Sequence, residues 1–296
     1  MLDTPAQVPE NGPPLMRHAK KPARACAALV LVAVWMAGGP PAALAGMPES
    51  AKVGRERGLK LNHASRRATG SAAVLRGRVL LYHLWAEDQE AHWPDAQQAD
   101  IRERVRAAVG FLDRWARRYT IDLTVVEACA GRVRSRAPIP TDSFTHPAWT
   151  ERLIQSTGAA DGNRLVADLK RSHRADAVVL VIHVNKDGDS YNLTFYKGVA
   201  PLWAAERVVC FTRYANHRPT CAASYAHEVL HSFGAGELYF PFDRTDDRRK
   251  RAAHLFPNDI MRRVDRNLAS LRIDAFTAYR IGWTDDLEPD LRAFED

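Results

Sequence analysis

His227-Glu228-Val229-Leu230-His231 places two imidazoles four residues apart, with a carboxylate beside the first. On a helix, residues four apart stand one above the other, so His227 and His231 can share one metal ion. Glu228 lies about 100° round such a helix from His227. There it can reach a water on that metal and take its proton. The chemistry this spells is hydrolysis by metal-activated water. Zn2+ is the first choice of ion, since two neutral imidazoles and a carboxylate suit it and leave a fourth position for solvent. The plain alternative is a helix with two solvated or hydrogen-bonded histidines. Tyr225, Ala226, Val229, Leu230 and Phe233 make the helix suited to burial, and a buried imidazole needs a partner, which a metal supplies.

The run continues through Gly234 to Glu237, giving H-E-x-x-H-x-x-G-x-x-E. If the helix ran on, residue 237 would be carried about 600° round from His231 and roughly 9 Å along the axis, away from the metal. A left-handed turn at Gly234, cheap only for glycine, would end the helix and let the chain double back. Glu237 would then bring an oxygen as third ligand. An ordinary helix end at Gly234 is compatible with the same reading.

Together with Pro257-Asn258-Asp259-Ile260-Met261 downstream, the pattern resembles the metzincin clan of zinc peptidases. That clan carries H-E-x-x-H-x-x-G-x-x followed by His or Asp, and then a methionine-bearing turn beneath the metal. His227, Glu228, His231 and Gly234 match residue by residue, and Met261 is the candidate turn methionine. Glu237 stands where the clan usually has His or Asp, and the snapalysin-like members with an acidic third ligand look most similar. Some metzincins place a tyrosine two residues after the methionine. Here that position is Arg263, and Tyr239 is the candidate substitute. The resemblance implies an α+β catalytic domain: a twisted, mixed five-stranded sheet with helices, an active-site helix, and a smaller irregular or helical C-terminal subdomain. It also implies that a sheet edge at Asn192 to Tyr196 binds an extended peptide.

A rival within the same chemistry is the gluzincin arrangement, with a downstream acid on a second helix as third ligand. Asp246, Asp247 or Asp259 would supply it, and His254 is a further conceivable ligand. Gly234 and Glu237 at their observed spacing speak for the metzincin order instead.

The elements that must position these groups follow from periodicity. Arg78 to Trp85 and Ile121 to Val126 read as strands. Ala177 to Val184 is apolar almost throughout, as in a strand covered on both faces, and His183 within it reads as a hydrogen-bonded core histidine. Asn192 to Tyr196 and Arg207 to Thr212 are two more strands, flanking a turn region at Gly198 to Pro201. Asp95 is a candidate N-cap for a helix whose Ile101, Val105, Ala108, Leu112 and Ala116 share a face. Arg132 to Pro147 reads as loop, and shorter helices are expected over Trp149 to Gln155 and Arg164 to His173. The metal helix begins near Cys221 or Ala222. Asp243 to Arg251 reads as solvated loop, and Leu268 to Ile281 as a final helix.

Residues 1–45 read as a secretory signal peptide with an N-terminal extension: Arg17, Lys20, Lys21 and Arg24, an apolar core from Cys26 to Ala37, then Ala43-Leu44-Ala45 before the cut. An uncleaved anchor is the alternative. Residues 46–71 form a flexible basic lead-in, and 72–296 a zinc metallopeptidase-like domain. Export to periplasm or medium follows, with no stable membrane span after cleavage. The net charge of +7 falls to +5 once the four basic and two acidic side chains of the leader are removed. The basic charges are scattered rather than clustered with aromatics, so nucleic acid is not an expected partner; a peptide or protein substrate is. Cys210 and Cys221 bracket a short segment and predict a disulfide in an exported protein, leaving Cys129 as a buried free thiol.

The sequence therefore predicts an exported zinc endopeptidase with Glu228 as general base. Two alternatives stay open: an inactive binding protein on the same fold, and a zinc amidase acting on cell-wall peptides.

Overall fold

The computed structural model describes residues 70–141, 148–193, 205–239 and 246–294. The signal-peptide reading of 1–45, most of the lead-in, the turn region at 198–201 and the end of the 192–196 strand lie outside them.

Five strands form one sheet: β1 (Gly77–Glu87), β2 (Leu123–Arg134), β3 (Ala177–Asp187), β4 (Tyr191–Leu193) and β5 (Arg207–Arg213), in the order β2-β1-β3-β5-β4. β1 pairs in parallel with β2 and β3, and β3 with β5, while β4 runs antiparallel to β5 at one edge. The mixed five-stranded sheet is thus the one expected, and the class is α+β.

Alternation along the strands splits the core in two, because successive side chains point to opposite faces. Val79, Leu81 and Trp85 of β1, Val179 and Val181 of β3, and Val208 and Cys210 of β5 face one side. Two helices cover that side: α1 (Asp95–Arg118), through Ile101, Val105, Ala108 and Leu112, and α4 (Ala222–Ser232), through Ala223, Ala226, Val229 and Leu230. Leu80, Leu84, Leu180, Ile182, Val209 and Phe211 face the other side, beneath α2 (Ala148–Gln155) and α3 (Gly162–His173). Asp161 caps α3 by accepting from the Arg164 backbone N–H at 2.7 Å. His183 is a core histidine as expected. It stacks on Trp85 at 4.3 Å, and its Nε2 shares a hydrogen bond of 2.9 Å with Nδ1 of His83.

Four expected elements differ, the first being β2, which runs past Val126 to Arg134 and so takes in the start of the stretch from Arg132 to Pro147 expected to be loop. Asp95 is the first residue of α1 rather than its cap; Pro94 holds the cap position, with φ −58° and ψ 142°, and makes no side-chain cap bond. The charged stretch expected to be loop contains a helix, α5 (Asp246–Leu255). Ala252 on it is fully buried in the core. The expected helix over 268–281 is broken. A 3-10 turn covers Leu268–Ser270, and α6 spans only Ala275–Arg280. Between them the backbone is drawn out to pair with the 258–260 segment, with Arg272 N–H bonded to Asn258 O at 2.8 Å and Ile260 N–H to Arg272 O at 3.0 Å.

Candidate metal centre

α4 is apolar enough to be buried along most of its length, and His227 and Glu228 go into the interior with it at 2% and 8% exposure. Its end has the double hydrogen bond of a Schellman motif. Ala235 N–H reaches Leu230 O at 3.2 Å, and Gly234 N–H reaches His231 O at 3.0 Å. Gly234 sits at φ +99°, a conformation that costs any other residue strain. The chain then reverses, as the spacing required, and Glu237 returns to the histidines.

Three ligand atoms converge there. Nε2 of His231 lies 3.1 Å from Nε2 of His227 and 3.0 Å from Oε1 of Glu237, and the His227–Glu237 separation is 3.4 Å. Ligand atoms about 2.05 Å from a tetrahedral zinc stand about 3.3 Å from one another. The observed spacings are those of one face of such a tetrahedron.

The ring tautomers fit as well. Nδ1 of His227 lies 2.9 Å from Ile260 O, and Nδ1 of His231 lies 2.8 Å from Ala235 O. A carbonyl can only accept, so each Nδ1 carries its proton and a neutral ring turns a bare Nε2 lone pair toward the cluster. Two such lone pairs and a carboxylate oxygen repel unless a cation or a proton lies between them. Oε2 of Glu237 is buried and makes no hydrogen bond. His227, His231 and Glu237 can therefore hold a metal ion.

Charges follow the same logic. Burial alone would lower the pKa of His227, but the Glu237 carboxylate overrides it and raises the imidazole to about 9. Burial opposes ionisation of Glu237, yet the two imidazoles hold its pKa well below the usual carboxylate range. Burial pushes Glu228 upward against the pull of the same two imidazoles. A basic carboxylate beside the cluster is suited to accept a proton.

Tyr239 is brought to the site, its hydroxyl donating to Glu237 Oε1 at 3.2 Å. Its phenol is held strongly protonated, by burial first and then by the Glu237 and Glu228 charges. Arg263 instead points to an ion pair with Asp265. Met261 is fully buried, and its carbonyl accepts from Leu238 N–H at 3.0 Å. Since Ile260 O takes the proton of His227, the 257–261 turn does lie against the first histidine. Asn192 on β4 reaches α4 twice, donating to Glu228 O at 3.1 Å and Ser232 Oγ at 2.6 Å. It ties the antiparallel edge to the site.

Of the rival ligands, the Asp246 side chain lies outside the described residues, and Asp247, His254 and Asp259 are not gathered with the histidines. Among the described residues, His227, His231 and Glu237 form the metal-competent group. Asp259 is wholly buried and spends its carboxylate on backbone: Oδ1 accepts from Met261 N–H at 2.7 Å, and Oδ2 from Asp274 N–H at 2.8 Å. Sequence reasoning missed this role, as it missed Arg280, a buried side chain whose Nε donates to Gly234 O at 2.8 Å. Asp259 did stand inside the turn motif, but its partners lie up to 15 residues away.

The expected Cys210–Cys221 disulfide is not formed; both are free thiols. The return after β5 fixes the register. Thr220 N–H bonds to Thr212 O at 3.0 Å, and Arg213 bridges to Pro219. Continued one step, this sets Cys221 across from Phe211 rather than Cys210. Cys210 stays under α4, where burial holds its thiol protonated. Cys129, expected to be buried, is exposed and accepts from Trp85 Nε1 at 3.1 Å. No helix among the described residues is long and apolar enough to cross a membrane.

No protein-family model and no curated protein matches the chain.

Proposed function

We propose that this chain is an exported zinc-dependent endopeptidase of the metzincin type. The observation that carries the reading is the convergence of His227 Nε2, His231 Nε2 and Glu237 Oε1 at 3.0 to 3.4 Å. Three further features support it: the glycine-ended helix, the turn carrying Met261 against His227, and an antiparallel edge strand bonded to the same helix. Zinc, when bound, supplies Lewis acidity and lowers the pKa of water from about 15.7 to near 7.

The protein's own groups have distinct tasks. His227 and His231 are held in one tautomer and orientation by Ile260 O and Ala235 O. Glu237 neutralises part of the metal charge. Glu228 accepts the proton of the attacking water and delivers it to the leaving amine. The Tyr239 phenol, kept protonated, is placed to donate to an oxyanion formed beside Glu237. β4 offers main-chain groups to an extended substrate.

Metal analysis of the purified protein, with casein hydrolysis by the parent and by Glu228→Gln, tests this. The expected result is bound zinc in both forms and hydrolysis in the parent alone. Equal activity in both forms refutes the role of Glu228, and bound zinc without hydrolysis in the parent favours a binding protein.

A further inference from the structure

Away from the metal ligands, a line of ionisable groups runs from solvent into the core beneath α1. Glu127 on β2 keeps 33% of its side chain exposed, His83 on β1 is nearly covered, and His183 on β3 is fully buried. His83 Nε2 lies 3.4 Å from Glu127 Oε2, and His83 Nδ1 lies 2.9 Å from His183 Nε2. There the line ends. His183 Nδ1 is buried and has no hydrogen-bond partner. Stacking on Trp85 and an edge contact with Trp93 hold the His183 ring in place. That stacking accounts for one buried ring, but not for a second ionisable ring set against it on a path to solvent.

The contacts limit how many protons the pair can carry. A hydrogen bond between ring nitrogens needs one donor and one acceptor. Two neutral rings satisfy this, and so does one neutral ring beside one imidazolium. With both rings protonated, N–H faces N–H across 2.9 Å, and the bond becomes a repulsion. The closed pair therefore takes one extra proton and excludes a second. The first belongs on His83, whose outer nitrogen faces the Glu127 carboxylate. Burial pushes His183 well below its ordinary range, and the charges of His83 and Arg102 add to the effect.

The surroundings offer little to balance a second charge. β2 presents Glu127 and Cys129, β5 presents Cys210, α4 presents Tyr225, and α1 presents Arg102 and Arg106, the latter with its own partner Glu103. Glu127 is the carboxylate in contact with the pair, against two guanidinium groups. Val105 and Leu112 of α1 and Tyr225 and Val229 of α4 line the same small space as His83. Opening the pair to water therefore disturbs the seam between α1 and the helix that carries His227 and His231.

We propose that His83 and His183 form an acid-sensitive lock beneath α1: the closed pair excludes a second proton, and acidification frees α1 from the sheet. In the opened chain each imidazole takes up a proton as the pH falls through about 6.5. The contribution of the lock is therefore complete above that pH and is lost below it, by up to about tenfold in the closing equilibrium per pH unit. The inference does not depend on hydrolysis at the metal centre.

The test is hydrogen exchange of the full chain, read by mass spectrometry on peptides from α1 and corrected for the intrinsic effect of pH on exchange. His183→Phe keeps a ring to stack on Trp85 but takes up no proton. Relative to that variant, protection of α1 in the parent should run parallel above about pH 7 and fall by up to about tenfold per unit below about 6.5. His83→Phe leaves His183 buried and should retain the fall. Other groups that titrate in this range, among them His227, His231 and Glu206, are common to parent and variants and drop out of the comparison. Nitrogen NMR of the parent's imidazoles gives a second reading should His183→Phe fail to fold. About one pH unit below the free histidine value of about 6.5, the His183 ring should still be neutral in the folded protein. An equal loss of α1 protection in the parent and in His183→Phe overturns the proposal. So does a folded protein in which both rings are protonated.

Discussion

Replacing Asp259 by alanine probes the part of the centre that no ligand motif names. Its carboxylate accepts from Met261 N–H at 2.7 Å and Asp274 N–H at 2.8 Å, and it is wholly buried. Alanine leaves the buried Met261 N–H without a partner, at about 1–3 kcal/mol, and the part-buried Asp274 N–H too, at a smaller cost since water can reach it, or roughly 2–5 kcal/mol together if the turn holds its shape. In a domain of this size 1 kcal/mol moves the thermal midpoint by about 2–4 °C, so a drop of roughly 10 °C is the central expectation. A relaxed turn costs less stability but moves Ile260, whose carbonyl orients His227. Loss of such an outer partner weakens metal binding by about 10–100-fold. Calorimetric unfolding and zinc competition against a chromophoric chelator read the two terms separately. A folded variant with parental stability and parental zinc affinity would refute the assignment of Asp259 as the post that fixes the turn.

Gly234→Ala, at φ +99°, should cost about 1–3 kcal/mol in backbone strain and weaken zinc binding, checked by the same two assays. In the metal-free protein His227 is raised to about 9, so zinc binding at neutral pH should expel a proton; titration calorimetry in buffers of different ionisation heat would show it, and a buffer-independent heat would contradict it. Glu206 is fully buried, its Oε2 accepting from Ser71 Oγ at 2.7 Å and Ala72 N–H at 2.9 Å, and burial raises it to about 7. Its folded pKa lies above the unfolded value, so its contribution is complete below about 4.5 and is lost as pH rises through 7. Stability should then fall with a slope approaching about 1.4 kcal/mol per pH unit, and Glu206→Gln, which stays neutral, should remove that component of the fall between about pH 4.5 and 7 in denaturant titrations.

How much could be seen in the sequence depended on the range of the interaction. β1 and β3 announce themselves by near-continuous apolar runs, and α1 by the face shared by Ile101, Val105 and Leu112. The two histidines, Gly234 and Glu237 were legible because their geometry is set within one helix and one turn. α5 was hidden because Asp246–Leu255 is strongly polar and turns little more than Ala252 inward. The break between Ser270 and Ala275 was hidden because its cause is pairing with Asn258 and Ile260, more than ten residues away. The disulfide was expected from the short span between the two cysteines and an exported setting. The register that carries Cys221 past Cys210 is a tertiary property of the β5 return.

Anomalous diffraction at the zinc absorption edge, on crystals of the full chain grown with zinc, tests the central claim most directly. One strong site is expected within about 2.0–2.2 Å of His227 Nε2, His231 Nε2 and a Glu237 oxygen, with solvent at the fourth position. A site ligated elsewhere, or a Glu237 carboxylate turned away from bound zinc, would contradict it.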